Sequence, residues 1–119
     1  MTVNKERVQL LVDALRSGEF KQRYGGLKGI AHSGGVSHCC LGVATEVALR
    51  NGAESRGNAW DGTALHWELT RWYGFESGNP IIRPAPCRDA VAANDICKLD
   101  FNQIADAFEE TFLRETNPT

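Results

Sequence analysis

The stretch SHCCLGVA (residues 37–44) follows a glycine-rich loop, and its two adjacent cysteines open a predicted helix. A helix N-terminus carries free N–H groups and the positive end of the helix dipole, so it stabilises a thiolate. The same groups suit a bound anion such as phosphate. Three roles are therefore open for Cys39 and Cys40: a reactive site, the border of a ligand site, or small side chains in a closely packed core.

Apolar residues at helical spacing continue beyond this stretch and recur elsewhere along the chain. The helix that opens with the cysteines runs from about Cys39 to Arg50. Gly42 lies in its first turn, where glycine costs up to about 1 kcal/mol relative to alanine. Close packing or the approach of a ligand is the expected reason for this glycine. An earlier helix runs from about Asn4, its N-cap, to Arg16.

Further helical patterns occupy the second half of the chain. One helix is predicted from about Thr63 to Tyr73, and a short one from Arg88 to Ala93. The last helix has Asp100 as its N-cap and Gln103 three residues later, which is the pattern of a capping box. Its apolar residues recur every three or four positions and predict a buried stripe of Phe101, Ile104, Ala105, Phe108 and Phe112.

The segment between the first two helices predicts a small sheet. Residues from Phe20 to Tyr24 alternate as in a strand, Gly25-Gly26 suits a turn, and the return runs from Leu27 to Ile30. A short strand or extended entry from Val36 to Cys40 then leads into the second helix. We therefore predict one compact, mostly helical α+β domain over residues 1–119, with about four helices and a short β-hairpin or small sheet. Residues 1–3 and 115–119 are expected to fray.

Composition and charge exclude several classes of protein. The 119 residues are 42% apolar and 24% charged, and no apolar run approaches the roughly 20 residues of a membrane span. The net charge of −2 argues against general nucleic-acid binding, which needs a basic surface. Residues 1–58 hold eight Lys/Arg and five Asp/Glu, whereas residues 59–119 hold five and ten. This asymmetry indicates either attraction between the two halves or a small anion site in the first.

The N-terminus and the cysteines point to the cytoplasm. The first residues are polar and lack the apolar core of a signal peptide, so no export is expected. The four cysteines should then be reduced thiols, because disulfides are rare in that compartment. Their spacing contains no CxxC pair and the histidines form no HxxxH pair, so we predict neither a metal site nor a cofactor.

Several short segments occur along the chain in a characteristic order. They are Leu15-Arg16-Ser17-Gly18, Phe20, Gln22, Gly26-Leu27, His38-Cys39-Cys40-Leu41-Gly42-Val43, Trp72-Tyr73-Gly74-Phe75, Asn79-Pro80-Ile81-Ile82, Asn94-Asp95 and Phe101-Asn102-Gln103-Ile104-Ala105-Asp106. Taken together they resemble a family of small bacteriophage proteins marked by an aromatic-CCLGV motif, with His38 in place of the aromatic residue. The resemblance covers most of residues 11–110. It implies a phage origin, a bacterial host cytoplasm and a role such as countering host defence, and it implies no catalytic residues.

Basic residues cluster around the glycines that precede the second helix. Arginines, lysines and backbone N–H groups at a helix N-terminus suit a small anionic ligand, and aromatic rings can stack on its base. No dinucleotide-binding or P-loop glycine pattern is present. The alternatives are a solvated basic hairpin and, for the Asn-Asp pair, turn or cap chemistry. The candidate ligand-binding residues are Arg16, Arg23, Tyr24, Lys28, His38, Cys39, Trp60, Asn94 and Asp95.

A cysteine nucleophile is the competing interpretation. A cysteine at a helix start, with a histidine and a carboxylate elsewhere, is the arrangement of papain-like and transglutaminase-like enzymes. Cys39 or Cys40 would attack, His66 would act as the base and Asp95 would orient it. Those enzymes place the base on a strand, however, whereas His66 lies in a predicted helix. Burial in a closely packed core explains at least one of the two thiols more simply.

These observations favour binding over catalysis. The first hypothesis is a phage-type cytoplasmic protein that binds and sequesters a small anionic ligand, such as a nucleotide-derived immune signal. A cysteine-dependent hydrolase or transferase acting on such a ligand is the second. The third is an inhibitor that docks on a host protein through an aromatic patch of Trp60, Trp67, Trp72 and Phe75. Self-association, with a pocket between copies, would suit the first and third hypotheses, but the sequence does not establish it.

Overall fold

The computed structural model describes residues 2–30, 34–83 and 88–114. Helix α1 (Lys5–Arg16) begins after Asn4, whose side-chain oxygen accepts a hydrogen bond from the backbone N–H of Arg7 at 3.1 Å. This confirms the predicted helix and its cap. The face that packs into the core is the predicted apolar stripe of Val8, Leu11, Val12 and Leu15.

Three short strands form one mixed sheet: β1 (Lys21–Gln22), β2 (Lys28–Ile30) and β3 (Val36–His38). Strand β3 lies in the centre, parallel to β1 and antiparallel to β2. The small sheet and the strand before the second helix are confirmed. The hairpin predicted between β1 and β2 is wrong, because β3 lies between them. Gly25 and Gly26 both have a φ of +73°, a left-handed conformation that glycine adopts readily.

Helix α2 (Cys40–Arg50) is the central helix, and eight of its eleven residues are buried. A helix that is buried around most of its circumference belongs in the middle of a core. A Cβ atom on Gly42 would lie 1.8 Å from the carbonyl oxygen of Leu27. Only glycine therefore allows α2 to lie so close to the chain before β2, which confirms close packing as the reason for this residue.

Helix α3 (Trp67–Tyr73) begins four residues later than predicted. Leu65 has helical spacing and is buried, but its N–H donates to the carbonyl oxygen of Gly78 at 2.9 Å, so it pairs with a neighbouring segment. His66 is the N-cap, and its Nδ1 accepts a hydrogen bond from the N–H of Glu68 at 3.3 Å. Gly74, with a φ of +83°, ends the helix as predicted.

Two further helices complete the chain. The short helix α4 (Ala90–Asp95) begins two residues later than predicted, because Asp89 caps it by accepting the N–H of Ala92 at 2.8 Å. Helix α5 (Phe101–Phe108) has the predicted capping box and continues into a π-helical turn, Glu109–Leu113. Four of its five predicted core residues are buried, and the fifth, Phe112, is partly buried.

The helices enclose one core, so the predicted α+β class with a mostly helical single domain is confirmed. Aromatic rings from α3, α5 and the π-helical turn meet at one end of this core, and the buried Tyr73 hydroxyl donates to the carbonyl oxygen of Ala44 at 2.6 Å. Within the described residues, no helix is long and apolar enough to cross a membrane. The expected fraying of residues 115–119 falls outside the described residues, as does Cys87.

Candidate functional site

Backbone N–H groups at the start of α2 are paired with acceptors in the protein itself. The N–H of Cys39 donates to the carbonyl oxygen of Leu27, and the N–H of Cys40 donates to Oδ1 of Asn94, both at 3.2 Å. In the first turn, the N–H of Gly42 donates to Sγ of Cys39 at 3.4 Å. These three N–H groups therefore already have partners, which argues against a bound anion, one of the three roles open for this helix start.

Asn94 is fully buried and uses its whole hydrogen-bonding capacity. Besides the N–H of Cys40, its Oδ1 accepts Nε2 of Gln22 at 2.9 Å. Its Nδ2 donates to the carbonyl oxygen of Arg23 at 2.8 Å and to Oδ1 of Asp95 at 2.7 Å. This one side chain thus joins α4 to the first strand and to the start of α2.

Asp95 extends the same hydrogen-bond network. Its Oδ1 also accepts the N–H of Gly25 at 2.9 Å, which fixes the turn after β1. Nε2 of Gln22 makes a further bond to the carbonyl oxygen of Leu99 at 2.8 Å. Of the two roles weighed for Asn94 and Asp95, the structure favours turn and cap chemistry over contact with a ligand, because the polar atoms of Asn94 and Oδ1 of Asp95 bond within the protein.

The two thiols of the central motif are buried. Burial raises the pKa of Cys39, and it raises the pKa of Cys40 well above its ordinary value. The carboxylate of Asp95 raises both pKa values further. Sγ of Cys40 donates to the carbonyl oxygen of Ala90 at 3.4 Å. Both groups are therefore neutral thiols in a packed core, whereas a nucleophile needs a thiolate.

The proposed partners of a cysteine nucleophile make other contacts. His66 caps α3, and its Nδ1 also lies 3.4 Å from the hydroxyl of Ser55. Asp95 belongs to the network around Asn94. The arrangement of Cys39 or Cys40, His66 and Asp95 that a thiol enzyme would need is not assembled.

The expectation that the cysteines are reduced is wrong for Cys97. Cys39 and Cys40 are free, as expected, but Cys97 is disulfide-bonded. Sequence spacing did not reveal this, because disulfide pairing depends on the distance between residues in the folded chain.

Three of the candidate residues meet in a group that we call the Trp60 stack, formed by Phe20, Lys28, His38 and Trp60. Nζ of Lys28 lies 4.5 Å from the centre of the Trp60 ring. The imidazole of His38 meets the Trp60 ring edge-on at 5.7 Å between centroids and the Phe20 ring at 5.1 Å. Lys28 and His38 are neighbours because they are directly paired in the β2–β3 ladder.

His38 is the unusual member of the Trp60 stack. The residue is 6% exposed, and neither ring nitrogen has a hydrogen-bond partner among the described residues. Oε2 of Glu46 lies 3.6 Å from Nε2, beyond hydrogen-bond distance. Burial lowers the pKa of His38, and the Glu46 carboxylate opposes this only in part, so the imidazole is neutral at pH 7. Two polar atoms are thus left unpaired in the interior.

Charge at the Trp60 stack is carried by Lys28. Its ammonium group lies on an aromatic ring and makes no ion pair within the part of the chain that the structure describes. The nearby Arg50, in contrast, contacts Glu19 at 2.7 Å and Glu46 at 3.4 Å. Lys28 is therefore the cation of this region that an incoming anion can engage.

The remaining candidate cations have other contacts. Arg16 pairs with Asp106 at 2.7 Å and Glu109 at 3.1 Å on the opposite half of the chain, so the structure separates it from the Trp60 stack. Nε of Arg23 donates to the carbonyl oxygen of Gly25 at 2.9 Å. The Arg23 guanidinium covers Gly29, where a Cβ atom would lie 1.2 Å from Nη1.

Tyr24 has a cationic neighbour that sequence reasoning missed. Its ring is half exposed, and Nζ of Lys98 lies 5.2 Å from the ring centre. Lys98 has a φ of +52°, the one positive value among described residues other than glycine. Neither its spacing nor its neighbours in sequence indicated a role, because the approach to Tyr24 depends on this backbone conformation.

The four-residue aromatic patch is not present as an exposed surface. Trp67 is 59% exposed, but Phe75 is buried, and Trp60 and Trp72 are only partly exposed. The guanidinium of Arg7 covers the Trp72 ring at 4.4 Å. Of these four residues, Trp67 alone is exposed. Its ring lies beside the His66 ring and the Arg71 guanidinium.

The described residues contain no group of three or more His, Cys, Asp or Glu side chains that could hold a metal ion. The candidate chemistry is accordingly that of a cation, stacked aromatic rings and an unpaired imidazole. No family model, curated protein or solved structure gives a significant match to this chain.

Proposed function

We propose that this protein binds and sequesters a small anionic ligand of the nucleotide class at the Trp60 stack. The observation that carries the proposal is the ammonium group of Lys28, held on the Trp60 ring without an ion-pair partner in the described structure, beside an imidazole with two unpaired nitrogens. A phosphate can bind the ammonium group, and a heterocyclic base can contact the Trp60 ring and the imidazole.

Each member of the Trp60 stack has a distinct part in recognition. Lys28 supplies a charge-assisted hydrogen bond to phosphate. The Trp60 indole offers an aromatic face for a base or ribose, and stacking of this kind contributes about 1–3 kcal/mol per base. Both ring nitrogens of His38 are buried, so a ligand would reach them only by displacing part of the Trp60 stack. The imidazole could then donate from one nitrogen and accept at the other, which would remove the cost of leaving both unpaired.

Arg23 does not add to the charge at this surface. Its guanidinium occupies the Cβ position of Gly29, and successive residues of a strand face opposite sides of the sheet, so it lies on the other face from the Lys28 side chain. Recognition of the anion therefore depends on Lys28.

Binding without turnover follows from the state of the thiols. Cys39 and Cys40 are buried and protonated, and His66 and Asp95 are engaged elsewhere. A protein that only binds a signal lowers its free concentration by mass action, provided that the protein is in excess and the affinity is high. The proposed setting, a phage-encoded protein in the host cytoplasm, is supported by the sequence resemblance.

The test is calorimetry with AMP, ADP, ADP-ribose and a cyclic dinucleotide. We expect at least one of these probes to bind, and we expect Lys28→Gln to weaken that binding about tenfold, since the change removes a charge-assisted contact. Lys5→Gln is the matched control, because Lys5 is an exposed lysine at the start of α1. The proposal fails if no probe binds below millimolar concentration, or if the two lysine variants weaken binding equally.

A further inference from the structure

A recess of about 320 Å³ lies between the C-terminal end of α3 and the π-helical turn. This volume is at the lower end of the range for small-molecule sites, roughly 300–1,000 Å³. None of its lining residues belongs to the Trp60 stack. Its walls are mostly apolar and include Phe75, Pro80, Ile81 and Phe112, and Glu76 is a charged member of the lining.

Two aromatic rings form the wall of this recess. The rings of Phe75 and Phe112 are 5.0 Å apart between centroids and inclined at 44°. Phe112 belongs to the π-helical turn, a distortion that frequently occurs at functional sites. The hydroxyl of Thr111 accepts the N–H of Arg83 at 2.6 Å and lies 3.1 Å from the Arg83 carbonyl oxygen, so the segment that carries Ile81 is fixed against this turn.

The charge of the recess has one sign. Glu76 is the one ionisable residue among those that line it, and its side chain is exposed at the rim. The charge at the rim therefore favours a positive ligand.

We propose that this recess binds a small organic ammonium ion with an apolar body. The apolar body lies between Phe75, Pro80 and Ile81, and the ammonium group faces Glu76 at the rim. Ile81 is 52% exposed, and a bound ring would cover it. The site is separate from the proposed anion site in both its residues and the charge of its ligand.

Two probes of equal size and opposite charge test this proposal. Phenethylamine and phenylacetate share a phenyl ring and a short side chain, and they differ in the sign of the terminal group. We expect phenethylamine to shift the amide resonances of Gly74, Ser77 and Ile81 and to bind about tenfold more tightly than phenylacetate, because Glu76 attracts the ammonium group and repels the carboxylate.

A charge reversal provides the matched comparison. Glu76→Lys should invert the preference so that phenylacetate binds more tightly, whereas Glu54→Lys, an equal change at an exposed glutamate outside the recess, should leave it unchanged. The proposal is overturned if neither probe shifts these resonances at a concentration of about 10 mM, or if both probes bind equally. It is also overturned if Glu54→Lys changes the preference as much as Glu76→Lys. Because the probe and the residues differ, failure here leaves the Trp60 stack proposal unaffected.

Discussion

Two buried polar side chains near the start of α2 differ in how their polar atoms are used. Asn94 makes four hydrogen bonds, to groups on α2, β1 and its own helix. His38 makes none among the described residues, although it is nearly as deeply buried. The hydrogen bonds of Asn94 stabilise the fold, whereas the unpaired nitrogens of His38 lower its stability unless a ligand pairs with them.

Replacement of the unpaired imidazole should therefore stabilise the protein. We expect His38→Phe to raise the free energy of unfolding by about 1 kcal/mol, because the phenyl ring fills the same space between Phe20 and Trp60 without unpaired polar atoms. His66→Phe is the matched control and should lower it by about 1 kcal/mol, because it removes the cap of α3. Urea denaturation measures both. A loss of stability in His38→Phe would show that its nitrogens are not a cost.

The same histidine should make the protein sensitive to acid. Burial lowers the pKa of His38 in the folded state, so the unfolded chain takes up this proton first as the pH falls. Stability is therefore complete above about pH 6.5 and decreases between that pH and the lowered folded pKa. The measurement is the difference in unfolding free energy between pH 7.5 and pH 5.5. It should be smaller in His38→Phe than in the original protein, and equal differences would contradict the assignment.

Alkylation reports the state of the thiols. At pH 7.5 we expect iodoacetamide to label Cys39 and Cys40 at least about a hundredfold more slowly than in denaturant, because both are buried and protonated. Peptide mapping by mass spectrometry separates the sites, and Cys97 should label only after reduction. Labelling of either free thiol in the folded protein as fast as N-acetylcysteine would instead indicate an activated nucleophile.

The sequence predicted which residues are unusual better than it predicted what they contact. The sequence drew attention to Asn94, Asp95 and the adjacent cysteines, but it left ligand contact, turn or cap chemistry and core packing open as their roles. Their partners Gln22, Arg23 and Leu27 are distant in sequence, so no local pattern shows that the polar atoms are already used. Lys28, His38 and Trp60 were also named separately, and only the β2–β3 register brings the first two together.

At the scale of elements, Gly42 determines how closely α2 approaches the chain before β2. Alanine is favoured over glycine in a helix by about 1 kcal/mol, yet its Cβ would lie 1.8 Å from the Leu27 carbonyl oxygen. We expect Gly42→Ala to destabilise the protein by more than about 2 kcal/mol, since backbone must move and the Cys39 hydrogen bond is lost. Thermal or urea unfolding measures the change.

A second glycine provides the comparison. Gly35 has no atom within 4 Å of its Cβ position and does not adopt a positive φ. Gly35→Ala should therefore change stability by no more than about 1 kcal/mol, with a gain expected from the less flexible unfolded chain. Similar losses in both variants would mean that helix packing at Gly42 is not the cause.

Local chemistry explains which elements were predicted correctly. The caps at Asn4 and Asp100 depend on residues three positions away, so α1 and α5 were found with their starts. The start of α3 depends on the contact between Leu65 and Gly78, and the strand order depends on β3, which follows both of its neighbours in the chain. Patterns within a short window contain neither contact.

For the whole molecule, the uneven charge of the two halves is used in part to join them. Arg16 from the basic half contacts Asp106 and Glu109 from the acidic half. These groups are largely exposed, so the pairs contribute little to the stability of the fold. Lys28 is left without an ion pair in the described structure, and Glu76 faces a separate recess. The uneven distribution of charge along the sequence indicated that the two halves differ in charge. It did not indicate which charged groups would remain without an ion pair.

The bonds of Asn94 also have a consequence for the order of synthesis. A ribosome makes the sheet and α2 before it reaches residue 94, and until then the N–H of Cys40 and the carbonyl oxygen of Arg23 lack their native partner. The nascent first half therefore cannot reach its final arrangement by itself. These native hydrogen bonds form only after α4 has left the exit tunnel, and until then the earlier segments are available to chaperones.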